Sequence, residues 1–245
     1  MHRFFVDEQG IVNGSACLET TDAHHAIKVL RMKMGDEVVL LDGQALFRAS
    51  VAALDGTVVR CDIMDRLPSP EASLQITLYQ GMPKADKMEW IVQKSTEVGV
   101  MAITPITMAR CVSVVDAKDA LKKQERWQRI AREASKQSGR AMVPQVSMPM
   151  SFAKALEQLA KHELVLVPWE EAEGFGPGRV HERHPLIKDI AIVIGPEGGI
   201  APEEIALLQV KAGAVPITLG KRILRTETAG LVTTTALLAL WGDME

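Results

Sequence analysis

Cysteine is scarce in this chain. Cys17, Cys61 and Cys111 stand far apart in 245 residues. They match no zinc-ligand spacing and no disulfide framework, so no metal is expected and the expected compartment is a reducing cytoplasm. Aromatic side chains are also few: one Tyr, five Phe and four Trp. So sparse a set argues against a base-stacking platform as the main working surface. No apolar run approaches the ~20 residues that cross a bilayer, so no membrane partner is expected. The apolar stretch behind Met1 is too short for a signal peptide. Neither charge sign dominates, with 28 Lys and Arg against 31 Asp and Glu and a formal net charge of −3.

Against these absences stands a local excess of positive charge. Residues 118–140 hold eight basic side chains and three acidic ones. Lys122, Arg126, Arg129, Glu133, Lys136 and Arg140 follow three- and four-residue steps, which place them on one face of a predicted helix over about 118–138. Local charge, more than total charge, governs attraction to phosphate. The stripe suits either a solvated face or a row of phosphate contacts. Leu121, Trp127, Ile130, Ala131 and Ala134 supply the apolar positions, with Trp127 expected at an edge.

The clearest boundary is Leu67-Pro68-Ser69-Pro70-Glu71, because two prolines in three residues fit neither a helix interior nor a central strand. Residues 1–70 read mainly as β. Strand-like runs over 38–41, 46–51 and 57–63 are separated by Asp42-Gly43 and Asp55-Gly56, both strong hairpin signals. A short helix starting near Asp22 is expected to hold Ala26, Ile27, Val29 and Leu30. A compact β-barrel fits this pattern.

Residues 71–245 alternate strands and helices and read as α/β with a parallel sheet. Predicted strands cover 74–79, 102–106, 163–167, 190–194 and 215–219. A helix over 86–98 stops at Gly99. Pro202 with Glu203 and Glu204 opens another, which Gly213 closes. The last predicted helix, about 227–241, is apolar almost all round and should be buried on several sides.

Two glycine-containing loops follow buried strands: Gly195-Pro196-Glu197-Gly198-Gly199 and Leu219-Gly220-Lys221-Arg222-Ile223-Leu224-Arg225-Thr226-Glu227-Thr228-Ala229. In open α/β sheets ligands bind beyond the carboxyl ends of strands, where glycine lets backbone approach closely. Neither loop is a P-loop or a Gly-x-Gly-x-x-Gly fingerprint, which weighs against an NTPase and a standard dinucleotide enzyme. His24-His25 is no metal site, because adjacent helix residues point apart and no ligand spacing supports it. His181-Glu182-Arg183-His184 is expected in a surface loop.

The two late loops resemble the SPOUT superfamily of S-adenosylmethionine-dependent RNA methyltransferases, and within it the family that methylates uridine N3 of 16S rRNA. His24-His25-Ala26-Ile27-Lys28-Val29-Leu30-Arg31, Lys87 through Gly99, and Glu133-Ala134-Ser135-Lys136-Gln137-Ser138-Gly139-Arg140 match the same family, in its order and over nearly the whole chain. The resemblance implies a trefoil-knotted α/β domain over 71–245, with helices on both faces of its sheet. It implies a PUA-like RNA-binding β-barrel over 1–70. A homodimer is implied too, with each cofactor pocket near the subunit interface. The implied cofactor is S-adenosyl-L-methionine, and the implied partner is 16S rRNA of the small ribosomal subunit.

On the same footing, Leu166, Val167, Pro168, Gly195, Pro196, Glu197, Gly198, Gly199, Leu219, Gly220, Ile223, Leu224 and Thr226 would hold the cofactor. Lys28, Arg31, Lys87, Arg126, Arg129, Lys136 and Arg140 would meet RNA. Arg225 and Glu197 are the expected catalytic residues. Arginine suits stabilisation of a deprotonated uracil imide, because its planar fork donates two hydrogen bonds and stays charged. Glu197 is the nearest carboxylate for the cofactor's sulfonium, though an acid at a helix N-terminus is also simply favourable. The N3 proton acceptor stays open among Glu197, Glu227 and water. No covalent enzyme intermediate is required, since the deprotonated nitrogen can attack directly.

Overall fold

The computed structural model describes residues 1–7, 9–112 and 116–244. The chain divides into two compact units, Met1–Glu71 with Ser135–Val143 and Ala72–Ala134 with Pro144–Glu245.

In the first unit, β1 (His2–Phe5), β2 (Ser15–Cys17), β3 (Glu37–Leu41), β4 (Leu46–Asp55) and β5 (Val58–Leu67) lie in the order β1-β3-β4-β5-β2. Only β1 and β3 run parallel within this sheet. A Val6–Leu18 bridge joins the ends of the two outer strands. The sheet thereby closes into a barrel, which removes the exposed edges that invite unwanted pairing. Both predicted hairpins form, with Gly43 (φ +87°) and Gly56 (φ +49°) taking the left-handed backbone that their turns need. Phe4, Val38, Leu40, Ala49, Val51, Val59 and Cys61 fill the interior. Burial there pushes the Cys61 thiol up to about 12.

The helix α1 (Thr20–His24) begins two residues before Asp22 and passes into a π-helical turn, His25–Val29. Ala23 and Ala26 are buried, and Val29 is 62% exposed.

In the second unit, β6 (Gln75–Gly81), β7 (Ala102–Thr107), β8 (Gln145–Val146), β9 (Met150–Ser151), β10 (Leu164–Pro168), β11 (Asp189–Ile194) and β12 (Val215–Ile217) form one sheet. Its order is β12-β10-β11-β6-β7, with β8 and β9 both pairing β7, and every pair is parallel. The last strand ends two residues earlier than predicted, so Thr218 and Leu219 belong to the loop.

Helices α2 (Lys87–Val98), α3 (Ala117–Ser138), α4 (Phe152–Leu159), α5 (Pro177–Arg183), α6 (Pro202–Ala212) and α7 (Thr226–Leu240) complete the chain. Side chains alternate across the strands and so feed two cores. Tyr79, Val165, Val167, Ala191 and Val193 pack with Ala155 and Leu159 of α4 and with Ile205 and Leu208 of α6. On the other face α7 lies so close that a Cβ on Gly230 would sit 3.4 Å from Leu78 and 3.5 Å from Ile194. Helices α2 and α5 pack on α7. The unit is thus an α/β fold with helices on both faces of a parallel sheet.

Two helices, α4 and α5, were not predicted. His181 therefore stands on a helix and not in a loop, with its ring edge-on to Trp241 at 4.5 Å between centroids. Trp127 of α3 is buried instead of lying at an edge, while Leu121 is exposed. Gln124 and Gln128 hold α3 to the sheet margin. Their side-chain amides donate to the carbonyls of Val146 and Pro144, and Gln128 accepts from the Val146 amide. No helix among the described residues is long and apolar enough to cross a membrane.

Candidate functional site

The carboxyl ends of β10 and β11 release the chain into a cleft of about 360 Å³ and an adjoining cavity of about 120 Å³. Pro168, Glu170, Ile223, Leu224 and Ala229 line both, so the two are parts of one depression. Gly195–Gly199, Arg225 and Thr226 complete the larger part, and Leu219 and Gly220 the smaller. Both glycine loops thus meet on one cleft. Leu166 and Val167 do not reach it. They are sealed within the sheet, and Pro168 is the first residue of β10 to face the space.

Glycine is required at the first loop for steric reasons. A Cβ on Gly195 would lie 2.7 Å from Ile200, and one on Gly198 would lie 3.2 Å from the Arg110 carbonyl oxygen. Gly199 has φ +73°, and its Cβ would lie 2.8 Å from Glu170 Oε1. Gly81, at the end of β6, admits the backbone of Pro196 in the same way.

A hydrogen-bonded chain fixes the two loops to each other. Gly195 O can only accept, so the Thr226 hydroxyl donates to it, at 2.6 Å. Thr226 Oγ1 in turn accepts from Gln80 Nε2 at 2.8 Å. Gln80 is fully buried, and its Oε1 has no partner among the described residues.

Lys87, expected from sequence to meet RNA, pairs with two carboxylates beside the first loop. Its ammonium meets Glu197 Oε1 at 3.0 Å and Glu227 Oε2 at 3.2 Å. One cation thereby bridges the first loop and the first turn of α7. These two carboxylates, Glu197 foremost, raise the Lys87 ammonium above its ordinary value. Glu197 also accepts from the Lys84 amide at 3.1 Å. Partial burial pushes the Glu197 carboxyl up, but the hydrogen bonds from Lys87 and from backbone amides outweigh it and hold the group below its ordinary value. Glu197 is therefore an ionised, well-satisfied carboxylate, which is a poor proton acceptor.

Arg225 is exposed at the N-cap of α7, where its carbonyl accepts from the Thr228 and Ala229 amides. Its guanidinium has no hydrogen-bond or ion-pair partner among the described residues, and Glu227 pairs with Lys87 and not with it. A charged donor at the rim of the cleft thus remains available.

The basic stripe is divided by its partners. Arg129, Lys122 and Lys123 are exposed. Arg126 is exposed but paired with Glu89 at 2.7 Å. Lys136 is engaged in the first unit, where it pairs with the buried Asp22 and lies over the Phe5 ring. Arg140 is 5% exposed, and its guanidinium grips Glu71 at 2.7 Å. Lys136 and Arg140 are therefore structural cations in this protein. Lys28 and Arg31 are exposed on the first unit, Arg31 with a left-handed backbone at φ +53°.

A second cluster lies at the amino end of the sheet. His162 Nδ1 meets Asp189 at 2.8 Å, and its Nε2 meets the Tyr79 hydroxyl at 3.1 Å. Burial, helped by Asp189, raises Tyr79 to about 12, so it is not an activated group at neutral pH. No set of three or more metal-ligating side chains is gathered among the described residues.

Sequence reading missed Glu170, the one carboxylate that lines both parts of the depression. A signal was present: it follows a buried parallel strand by two residues, where α/β sheets place ligand contacts.

A family model described as an RNA methyltransferase domain matches residues 70–238, and one described as an RNA methyltransferase PUA domain matches residues 18–62. The chain is 34% identical over 246 residues to ribosomal RNA small subunit methyltransferase E of Bacillus subtilis (strain 168), covering 97% of this chain and 96% of that protein. It is 35% identical over 242 residues to the enzyme of the same name from Mycobacterium bovis, covering 94% and 88%. A crystal structure of ribosomal RNA small subunit methyltransferase E from Neisseria gonorrhoeae bound to S-adenosyl methionine superimposes with a TM-score of 0.85 at 33% identity, over the whole of both chains. Identity over nearly the full length, the matching domain models and the full-length superposition place the chain in one group: it belongs to the ribosomal RNA small subunit methyltransferase E family.

Proposed function

We propose that this protein methylates N3 of a uridine in 16S rRNA of the small ribosomal subunit, using S-adenosyl-L-methionine. The observation that carries the reading is the convergence of both glycine loops on one cleft, with the unpaired Arg225 guanidinium at its rim. The depression falls in the size range of small-molecule sites. Pro168, Ile223, Leu224 and Ala229 offer apolar walls for an adenine, and the glycine loops offer backbone polar groups at close approach.

When bound, the cofactor supplies a methyl group made electrophilic by its sulfonium. The chain must make the acceptor nucleophilic. Uridine N3 carries an imide proton, and its loss spreads negative charge over the two flanking carbonyl oxygens. Arg225 stabilises that charge where it forms. Glu197, held ionised by Lys87, fixes the first loop, and water or Glu227 takes the proton.

Residues 1–70 serve as the RNA-binding PUA-like domain and residues 71–245 as the methyltransferase domain. A knotted chain fits the strand order, since the loop after the edge strand β12 must return past β10 to start α7 against β11 and β6. Helix α7 leaves Val232 and Leu240 exposed at 38% and 37%, which supports a homodimer. Three unpaired cysteines and a ribosomal substrate fit the cytoplasm.

The test is nucleoside mass spectrometry of small subunits isolated without this modification, then incubated with the protein and the cofactor. The expected product is 3-methyluridine in 16S rRNA. No methyl incorporation, or methylation at another atom, would refute the assignment.

A further inference from the structure

Opposite charges approach the Cβ position of Gly199 without pairing with each other. From the position of a Cβ on Gly199, Glu170 Oε1 lies at 2.8 Å and Arg110 Nη1 at 3.7 Å. Glu170 lines both parts of the cleft and has no hydrogen-bond or ion-pair partner among the described residues. The other two carboxylates of the site, Glu197 and Glu227, share the one Lys87 ammonium. Arg110 follows β7 and is held against the first loop. It packs on Gly198, and Nη1 donates to the Gly198 carbonyl at 3.1 Å. A guanidinium has five N–H donors, so one bond to a carbonyl leaves most of them for a ligand.

We propose that Glu170 and Arg110 read the amino-acid end of the cofactor as a zwitterion. Glu170 takes the α-ammonium and Arg110 the α-carboxylate. This assignment rests on the methyltransferase reading and extends it to a subsite. A sulfonium alone would call for a carboxylate alone, and an RNA phosphate for cations alone. An exposed, unpartnered carboxylate and a guanidinium held on the Gly198 carbonyl, both close to the Cβ position of Gly199, match a ligand whose two opposite charges sit on one carbon.

Calorimetry with three probes tests the assignment. The probes are S-adenosylmethionine, S-adenosylhomocysteine and 5′-methylthioadenosine, and the proteins are wild type, Glu170→Gln and Arg110→Gln. Each variant should bind the first two probes roughly tenfold more weakly, as for loss of a charge-assisted hydrogen bond. Binding of methylthioadenosine, which lacks the amino-acid end, should not change. A loss confined to S-adenosylmethionine would make Glu170 a reader of the sulfonium and overturn the assignment. An equal loss for all three probes, or no loss, would overturn it too. Wild-type protein that binds none of the probes would instead refute the underlying methyltransferase reading, and the subsite with it.

Discussion

Thr226 donates its hydroxyl hydrogen to the Gly195 carbonyl oxygen at 2.6 Å, fastening the first residue of α7 to the first glycine loop. Because Thr226 also accepts from Gln80, one hydroxyl holds three segments. Thr226→Val keeps the shape and removes the hydroxyl, taking the donor from the Gly195 carbonyl and leaving Gln80 Nε2 with its bond to the Gly81 carbonyl alone. Stability in urea should fall by about 1–3 kcal/mol, and cofactor affinity should fall with it. Thr226→Ser should keep most of both. Equal stability and affinity in the valine variant would show that the bond is incidental.

Lys87 sets the ionisation of Glu197. The folded-state carboxyl lies below its ordinary value, so the unfolded chain takes up its proton first as pH falls. The contribution of this carboxylate to stability is therefore complete above the ordinary carboxylate range and is lost as pH falls through the folded value. In Lys87→Met, burial keeps pushing the carboxyl up while the strongest opposing hydrogen bond is gone. Glu197 should then titrate at a higher pH, read by carbon-13 NMR of its side chain. An unmoved titration would mean that the backbone amides alone hold it.

Arg225→Ala should lower turnover by about 10²–10³-fold, the loss typical of one donor to a developing anion. The Arg225 backbone caps α7 while its side chain is unpaired, so folding and cofactor affinity should stay near wild type. The deficit should narrow as pH rises and more uridine ionises unaided. Wild-type turnover in a folded, cofactor-binding variant would remove Arg225 from the mechanism.

The basic residues of α3 should separate into two groups. Arg129→Ala with Lys122→Ala should flatten the dependence of RNA affinity on salt. The log–log slope should shrink by about 0.9 for each duplex phosphate left without its cation, and by about 0.7 for a single strand. Lys136→Met should leave that slope alone. It should destabilise the barrel by about 1.5–3 kcal/mol, because the buried Asp22 loses a charged partner. A change of slope in the Lys136 variant would return that residue to the RNA surface.

Helix α7 carries the dimer prediction. Sedimentation at micromolar concentration should give twice the chain mass, and Val232→Asp with Leu240→Asp should shift it to one chain mass. A wild-type monomer would leave the exposed face unexplained by self-association.

Elements with strong local patterns were legible before the structure. The runs around β10 and β11 are continuous and apolar, the Asp-Gly turns dictate hairpins, and Gly99 and Gly213 stop helices with left-handed backbone. Helix α4 escaped because its apolar face is short, although Ser151 caps it by accepting from the Lys154 amide. At the site, the loops were legible as strings. Their fastening was not: Lys87 lies 140 residues from Glu227, and Gln80 lies 146 from Thr226. The four-residue spacing of Lys136 and Arg140 predicts a common helix face, but α3 ends at Ser138, before Arg140, and their carboxylate partners, 114 and 69 residues away, decide what they do.

The return of Ser135–Val143 to the first unit imposes an order on events during synthesis. The barrel strands leave the ribosome first, yet Asp22 and Glu71 cannot meet Lys136 and Arg140 until those residues have been added. A nascent barrel therefore carries two carboxylates awaiting their cations while the strands β6 and β7 are still being made. Translation must pass residue 140 before the N-terminal unit can reach its final stability, so that unit matures only after the opening strands of the second have been made.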